Sequence, residues 1–145
     1  MKIVIGADHG GFAAKEAVIE FLKKQGYQIE DKGTYSEESC DYPDIAHAVA
    51  QAVAAGEFEQ GILICGTGIG MSLAANKTPN VRAALAHDTY SARMAKAHNN
   101  ANVLCLGARV IGLGLMLDIV DAFCRESFEG GRHARRVAKI EQVNE

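Results

Sequence analysis

Apolar positions along this chain follow two alternating rhythms. Short aliphatic or β-branched runs, each the length of one buried strand, are separated by longer stretches in which apolar residues recur at helical spacing. Lys2–Gly6 reads as a strand, and Phe12–Gln25 as a helix with Ala14, Ala17, Val18, Phe21 and Leu22 on one face and Gly26 closing it. Tyr27–Asp31 reads as the second strand, followed by a polar loop, Gly33–Tyr42. Pro43 marks the start of a helix that carries Ile45, Val49 and Val53. A third strand over 61–65 leads into a helix reaching about Asn76; Val81–Leu85 and Asn102–Leu106 are the fourth and fifth strands. Helices are expected over Thr89–Ala97 and Leu113–Cys124, with a last short one over Gly131–Ile140.

Strand–helix alternation of this kind predicts parallel strands joined by right-handed crossovers. The expected fold is a single-domain, doubly wound, Rossmann-like α/β sheet of five strands spanning 1–145, with helices on both faces. Such sheets bind ligands beyond the carboxyl ends of their strands. Those ends carry Asp8-His9, the loop to Tyr42, Cys65–Gly70, His87-Asp88 and Arg109, so polar and reactive groups gather on one rim.

Residues 61–76 are the most informative stretch: Ile62-Leu63-Ile64 ends in Cys65, then comes a turn with Gly66, Gly68 and Gly70, then an Ala/Leu-rich helix. That order sets a thiol beside main-chain N–H groups at a helix start, an arrangement that favours negative charge and a thiolate. A dinucleotide fingerprint does not fit, because the third glycine position falls on Met71. Gly6-Ala7-Asp8-His9-Gly10-Gly11 fits no better, despite Asp31 downstream, and no Gly-Lys-Ser/Thr loop is present.

Composition narrows the setting without changing it. At 145 residues, 48% hydrophobic and 23% charged, the chain has the make-up of an ordinary globular domain. A net charge of −3 argues against a general nucleic-acid binder, and no apolar run is long enough for a membrane span. No signal-peptide pattern opens the chain, and the cysteines at 40, 65, 105 and 124 form no Cys-x-x-Cys pair, so a reducing cytoplasm is the expected setting.

Among these cysteines, Cys105 and Cys124 read as buried small hydrophobes and Cys40 as incidental, leaving Cys65 as the candidate for chemistry. His9 reads as a ligand-binding residue, His47 as packing, and His87 and His133 stay unassigned. His98, before Asn99 and Asn100, falls near the amino ends of the strands, away from Cys65 of its own chain. It is either a helix-end residue without chemistry or a group that crosses a two-fold axis into a neighbour's site. Arg132 and Arg136 share a helix face and, with Arg109, are candidates for an anion clamp; a solvated basic face is the alternative.

Taken together, these segments resemble the ribose-5-phosphate isomerase type B and galactose-6-phosphate isomerase family over nearly the whole chain. The resemblance rests on Gly6–Phe12, Asp31-Lys32-Gly33, Asp41–Asp44, Ile64–Gly70, Ala74–Lys77, His98-Asn99, Asn102–Leu104, Gly107–Arg109 and Glu129–His133. It implies an aldose–ketose isomerase working through a cis-enediolate, without metal or redox cofactor, on a small sugar phosphate. Ribose 5-phosphate is the expected substrate; a six-carbon sugar phosphate and a non-catalytic sugar-phosphate or nucleotide sensor are the alternatives.

The resemblance further implies Cys65 as the base, His98 as the ring opener and Thr67 as a proton relay. Gly66, Thr67, Gly68, Ile69 and Gly70 would hold the enediolate through their amides, and Asp8 and Tyr42 would orient hydroxyls. Asn99 would place the open chain, while His9, Arg109, Arg132 and Arg136 would hold the phosphate. A homodimer, or a dimer of dimers, with shared sites follows if His98 acts in trans, the C-terminal helix at about 131–140 then serving the phosphate and the interface.

Overall fold

The structure is a computed structural model in which residues 1–142 are described; the last three residues of the expected 1–145 domain lie outside them. Five strands form one all-parallel sheet: β1 (Lys2–Ala7), β2 (Gln28–Asp31), β3 (Gln60–Cys65), β4 (Ala83–Leu85) and β5 (Val103–Gly107), in the order β2-β1-β3-β5-β4. Six helices connect or follow them: α1 (Phe12–Lys24), α2 (Tyr42–Ala54), α3 (Ile69–Ala75), α4 (Thr89–Ala97), α5 (Leu113–Arg125) and α6 (Arg132–Glu141). The expected doubly wound fold is the observed one, with element ends shifted by a residue or two.

The two-residue period of the strands explains why their sequences read as unbroken apolar runs. Ile3, Ile5, Ala7, Ile62, Ile64, Leu104 and Leu106 point to one face, where Val18, Leu22, Ala92, Met116, Ile119 and Phe123 of α1, α4 and α5 cover them. Val4, Leu63, Cys65, Val103 and Cys105 point to the other, under Ala46, Val49 and Val53 of α2 and Met71 and Ala75 of α3. Both faces are sealed, so each buried Ile or Leu contributes roughly 1.5–3 kcal/mol of burial.

Handedness then fixes where a crevice opens. The connection β1–α1–β2 leaves toward one edge, whereas β2–α2–β3 returns past β1, so α1 and α2 lie on opposite faces. The carboxyl ends of β1 and β3 therefore flank the topological switch point. A buried ion pair steadies the neighbouring loop. Lys15 of α1, with no exposed surface, pairs with Asp31 at the end of β2. Asp31 also accepts the Gly33 N–H at 2.8 Å, and Gly33 O accepts the Ala7 N–H at 2.7 Å. Asp31 thus anchors the loop that leads to Tyr42, a structural role unrelated to the nucleotide spacing its position suggested.

A second buried lysine lies toward the other edge. The Nζ of Lys96 donates to Gln60 Oε1 at 2.6 Å and sits 4.3 Å from the Phe123 ring centre. Burial lowers the Lys96 pKa to about 8. Below that value the ammonium is charged in both folded and unfolded chains, and the folded state bears the full desolvation cost. Above it, the folded lysine deprotonates first and the cost is relieved, so stability rises with pH toward the unfolded value. Between about pH 7.5 and about pH 9.5, urea unfolding should show the unsubstituted chain gaining about 2 kcal/mol relative to Lys96→Met. The comparison removes the opposite trend of buried Cys105 and Cys124, whose thiols are pushed up, that of Cys124 to about 12. Equal slopes for the two proteins would contradict the assignment.

Candidate active site

Cys65 is the last residue of β3 and points to the α2–α3 face, only 5% exposed. The chain turns sharply there because Gly68 adopts φ +79°, a left-handed conformation that glycine enters without strain. That turn brings the Gly68 N–H to 3.1 Å from Cys65 Sγ, while Thr67 Oγ1 accepts the Ile69 N–H at 3.2 Å. Two of the loop amides are thus already engaged. Donors for a bound oxyanion must come from Gly66, Thr67 and Gly70.

The flanking elements crowd this loop. At the end of β1, Asp8 is buried and its Oδ1 accepts the N–H groups of Gly10 at 2.9 Å and Gly11 at 3.2 Å, which leaves Oδ2 for a ligand. The next residue, His9, accepts the Cys40 N–H on Nδ1 at 3.3 Å, so the loop after β2 sets its ring. Arg109 follows β5 and is tied in by its N–H to Gly66 O at 2.9 Å. Its side chain arches over the glycines: a methyl added to Gly66 would stand 3.4 Å from Arg109 Cδ, and one added to Gly10 would stand 3.5 Å from Nη2. Tyr42, at the start of α2, lies against Gly70, where an added methyl would meet its ring at 2.5 Å. Arg109 and Tyr42 therefore border the glycine loop that follows Cys65, with Asp8 beneath Gly10 and Gly11 and His9 next to it in the chain.

The remaining candidates gather elsewhere. Helix α4 runs back from the carboxyl end of β4, so His98, its C-cap, and Asn99 lie at the rim where β5 begins. Helix α6 docks on that same rim: Arg82, just before β4, pairs with Glu141 at 2.9 Å and bonds Asn100 O at 2.8 Å. Left-handed Gly130 and Gly131 turn the chain into α6 so that His133 stacks on His98, ring centres 4.1 Å apart and planes 8° from parallel. One carboxylate oxygen, Glu129 Oε1, faces both imidazoles, 3.6 Å from His98 Nε2 and 3.4 Å from His133 Nε2. Burial, and then the adjoining His98 ring, hold the His133 pKa below its usual range. Arg132 and Arg136 stand exposed on this helix. A three-arginine clamp with Arg109 is therefore not formed within one chain, because α6 and the end of β5 occupy opposite rims.

The donor atoms of His98, Glu129 and His133 lie within 4.8 Å of one another. Parallel stacking nonetheless keeps the in-plane lone pairs of the two rings from meeting at one point, which does not suit chelation. Glu129 was not singled out by sequence reasoning. Its signal was the Glu-Gly-Gly-Arg-His run, read only as part of the resemblance.

A doubly wound α/β domain whose switch point carries a thiol, a carboxylate and a guanidinium around a glycine turn defines an enzyme fold built for acid–base work on a small ligand. The chain belongs to the ribose/galactose isomerase family, whose model, described as Ribose/Galactose Isomerase, matches residues 3–140. It is 48% identical over 144 residues to ribose-5-phosphate isomerase B of Escherichia coli, covering 99% of this chain and 97% of that protein. Clostridium thermocellum ribose-5-phosphate isomerase B superposes with a TM-score of 0.97 at 55% identity, over 99% of this chain and 97% of that one. The Mycoplasma genitalium ribose-5-phosphate isomerase B structure with bound ribulose-5-phosphate superposes with a TM-score of 0.93 at 43% identity, over 97% and 94%.

The geometry sorts the thiols. Under native alkylation at about neutral pH, Cys105 and Cys124 should stay unmodified until the chain is unfolded, since burial raises both thiols. Peptide mass spectrometry should find native label on the half-buried Cys40 and none on Cys105 or Cys124. Native modification of Cys105 or Cys124 would contradict the packing described here.

Proposed function

We propose that this chain interconverts D-ribose 5-phosphate and D-ribulose 5-phosphate through a cis-enediolate, at sites shared between two subunits. The observation that carries this reading is the turn that aims the Gly68 N–H at Cys65 Sγ at 3.1 Å, because it joins a potential base to main-chain donors at the switch point. The likeness to ribose-5-phosphate isomerases B along almost the whole chain supports the five-carbon substrate.

In the ring-closed aldose, His98 gives a proton to the ring oxygen as the C1–O4 bond breaks, and the C1 hydroxyl gives its proton to water, leaving an aldehyde. Cys65, as thiolate, then takes the proton from C2, and the electron pair moves through the new C1=C2 bond onto O1. Amides of the glycine loop meet that charge, each such donor being worth about 2.7–4 kcal/mol in a preorganised site. Thr67 relays the O2 proton to O1, Cys65 returns its proton to C1, and O2 becomes the ketone oxygen. Asp8 Oδ2 and Tyr42 orient hydroxyls, Asn99 places the extended chain, and His9 and Arg109, with Arg132 and Arg136, hold the phosphate.

Because the two groups of residues occupy opposite rims, a second copy supplies His98, Asn99, Arg132 and Arg136. The surface beside the loop suits such a partner. Ile69 and Leu73, one turn apart on α3, are 50% and 64% exposed, and Tyr42 is 40% exposed next to them. The smallest active unit is then a homodimer, with α6 contributing to phosphate binding and to the interface. Its four free cysteines suit a reducing cytoplasm.

Cys65→Ala should abolish exchange of the substrate C2 hydrogen with solvent, measured by NMR in deuterium oxide, while phosphate-ester binding stays within a few-fold. Exchange that survives would mean another base operates. Mixing inactive Cys65→Ala with inactive His98→Ala should restore up to about a quarter of the activity, since a random mixed dimer holds one intact site of two. After subunit exchange has been verified by mass spectrometry, an absence of recovery would rule out sharing.

A further inference from the structure

We infer that Glu129 is a positioning residue for ring opening: its carboxylate fixes the imidazole of His98 so that the nitrogen left free can deliver a proton to the sugar ring. The inference rests on the reading of His98 given above and extends it to a residue of the same chain that touches no substrate in that reading.

Three observations meet at this point. Glu129 Oε1 lies 3.6 Å from His98 Nε2, and the Glu129 N–H donates to Ala97 O at 3.0 Å, which clips residue 129 to the backbone beside His98. The His133 ring stacks on His98, 4.1 Å between centres, and so limits the planes His98 can adopt. The same oxygen also faces His133 Nε2 at 3.4 Å. Two stacked rings competing for one carboxylate oxygen do not both carry charge readily. His133 is the more deeply buried ring, with Arg132 and Arg136 on its own helix disfavouring its cationic form. His133 therefore backs the stack, and the carboxylate oxygen stands within reach of both rings, 3.4 Å from His133 and 3.6 Å from His98. A carboxylate on one imidazole nitrogen orients the ring and assigns the transfer to the other nitrogen. Glu129 is exposed, and the bond that fixes its backbone does not involve its side chain, so Glu129→Gln preserves the shape of the segment.

The two directions of the reaction offer a readout that a merely structural role would not move. Ribose 5-phosphate is a closed ring and must be opened. Ribulose 5-phosphate has its carbonyl at C2 and its C5 oxygen esterified, so it cannot close a five-membered ring and arrives open. Proton exchange at its C1 needs Cys65 but no ring opening. Glu129→Gln should therefore lower kcat for ribose 5-phosphate tenfold or more. Deuterium exchange from solvent into C1 of ribulose 5-phosphate should stay within about twofold of the unsubstituted protein. Glu129→Asp should recover part of the forward rate, and His98→Asn should show the same split more strongly.

If Glu129→Gln depresses both reactions equally, or neither, the positioning role is overturned. If His98→Asn splits them and Glu129→Gln does not, His98 keeps its assignment and Glu129 alone loses it. If His98→Asn itself depresses both alike, ring opening by His98 is wrong and the inference falls with it. Loss of both reactions in Cys65→Ala verifies that the exchange reports the enediolate step.

Discussion

Everything at the functional rim follows from one topological constraint, the reversal of crossover direction between β1 and β3. Right-handed connections leave no freedom once β1 has neighbours reached from opposite faces, so α1 and α2 diverge beyond Ala7 and Cys65, where sheets of this kind bind ligands. The chain must then leave β3 without crossing that place. Gly66, Gly68 and Gly70 allow it, and the left-handed Gly68 turns its amide back onto the sulfur. The Lys15–Asp31 pair closes the other side by holding the loop from which His9 and Tyr42 take their bearings.

That economy has a consequence for the opposite rim. A parallel sheet presents its strand ends as two separate surfaces, and helices such as α4 carry the chain from one to the other. His98 must therefore finish far from the thiol of its own subunit. What gathers around it is a compact unit: His98, Glu129 and His133 in mutual contact, with Arg132 beside His133 and Arg136 one turn further on. In the shared-site reading proposed above, a two-fold axis would bring this unit onto another chain's glycine loop and satisfy both sites at once.

How much of the structure is legible in the sequence depends on the range of the interaction concerned. Periodicity located every strand and helix, because both sheet faces are covered and the apolar runs are correspondingly clean. The fourth strand is the largest deviation, beginning at Ala83 and not at Val81. There Arg82 gives its N–H to the Asn102 side chain at 2.8 Å and Val81 bonds back to Thr78, so side-chain and turn bonds displace the ladder. Strand order was out of reach, since no local pattern reveals that β5 inserts between β3 and β4. Arg132 and Arg136 were correctly placed on one helix face, but pairing them with Arg109 needed the docking of α6, a tertiary fact. The contact between His98 and Glu129 was hidden for the same reason, separated along the chain by the whole of β5 and α5.

The nearly buried position of Cys65 also bears on why a thiol suits this place. The side chain belongs to the apolar layer under α2 and α3, among Leu63, Met71 and Val103. A carboxylate there would have to be stripped of water, at a cost of several kcal/mol before any chemistry began. A neutral thiol rests in such surroundings as a small hydrophobe and takes up charge only where donors meet it. Cys105 supplies the contrast within the same layer. It lies on the adjoining strand, on the same face, and burial drives its thiol far above the usual range. Cys65 differs in standing at the strand's last residue, where the backbone turns and an N–H reaches the sulfur. One residue type on one face of one sheet thus serves as inert packing mid-strand and as a candidate base at the strand's end, and the difference is made by a left-handed glycine.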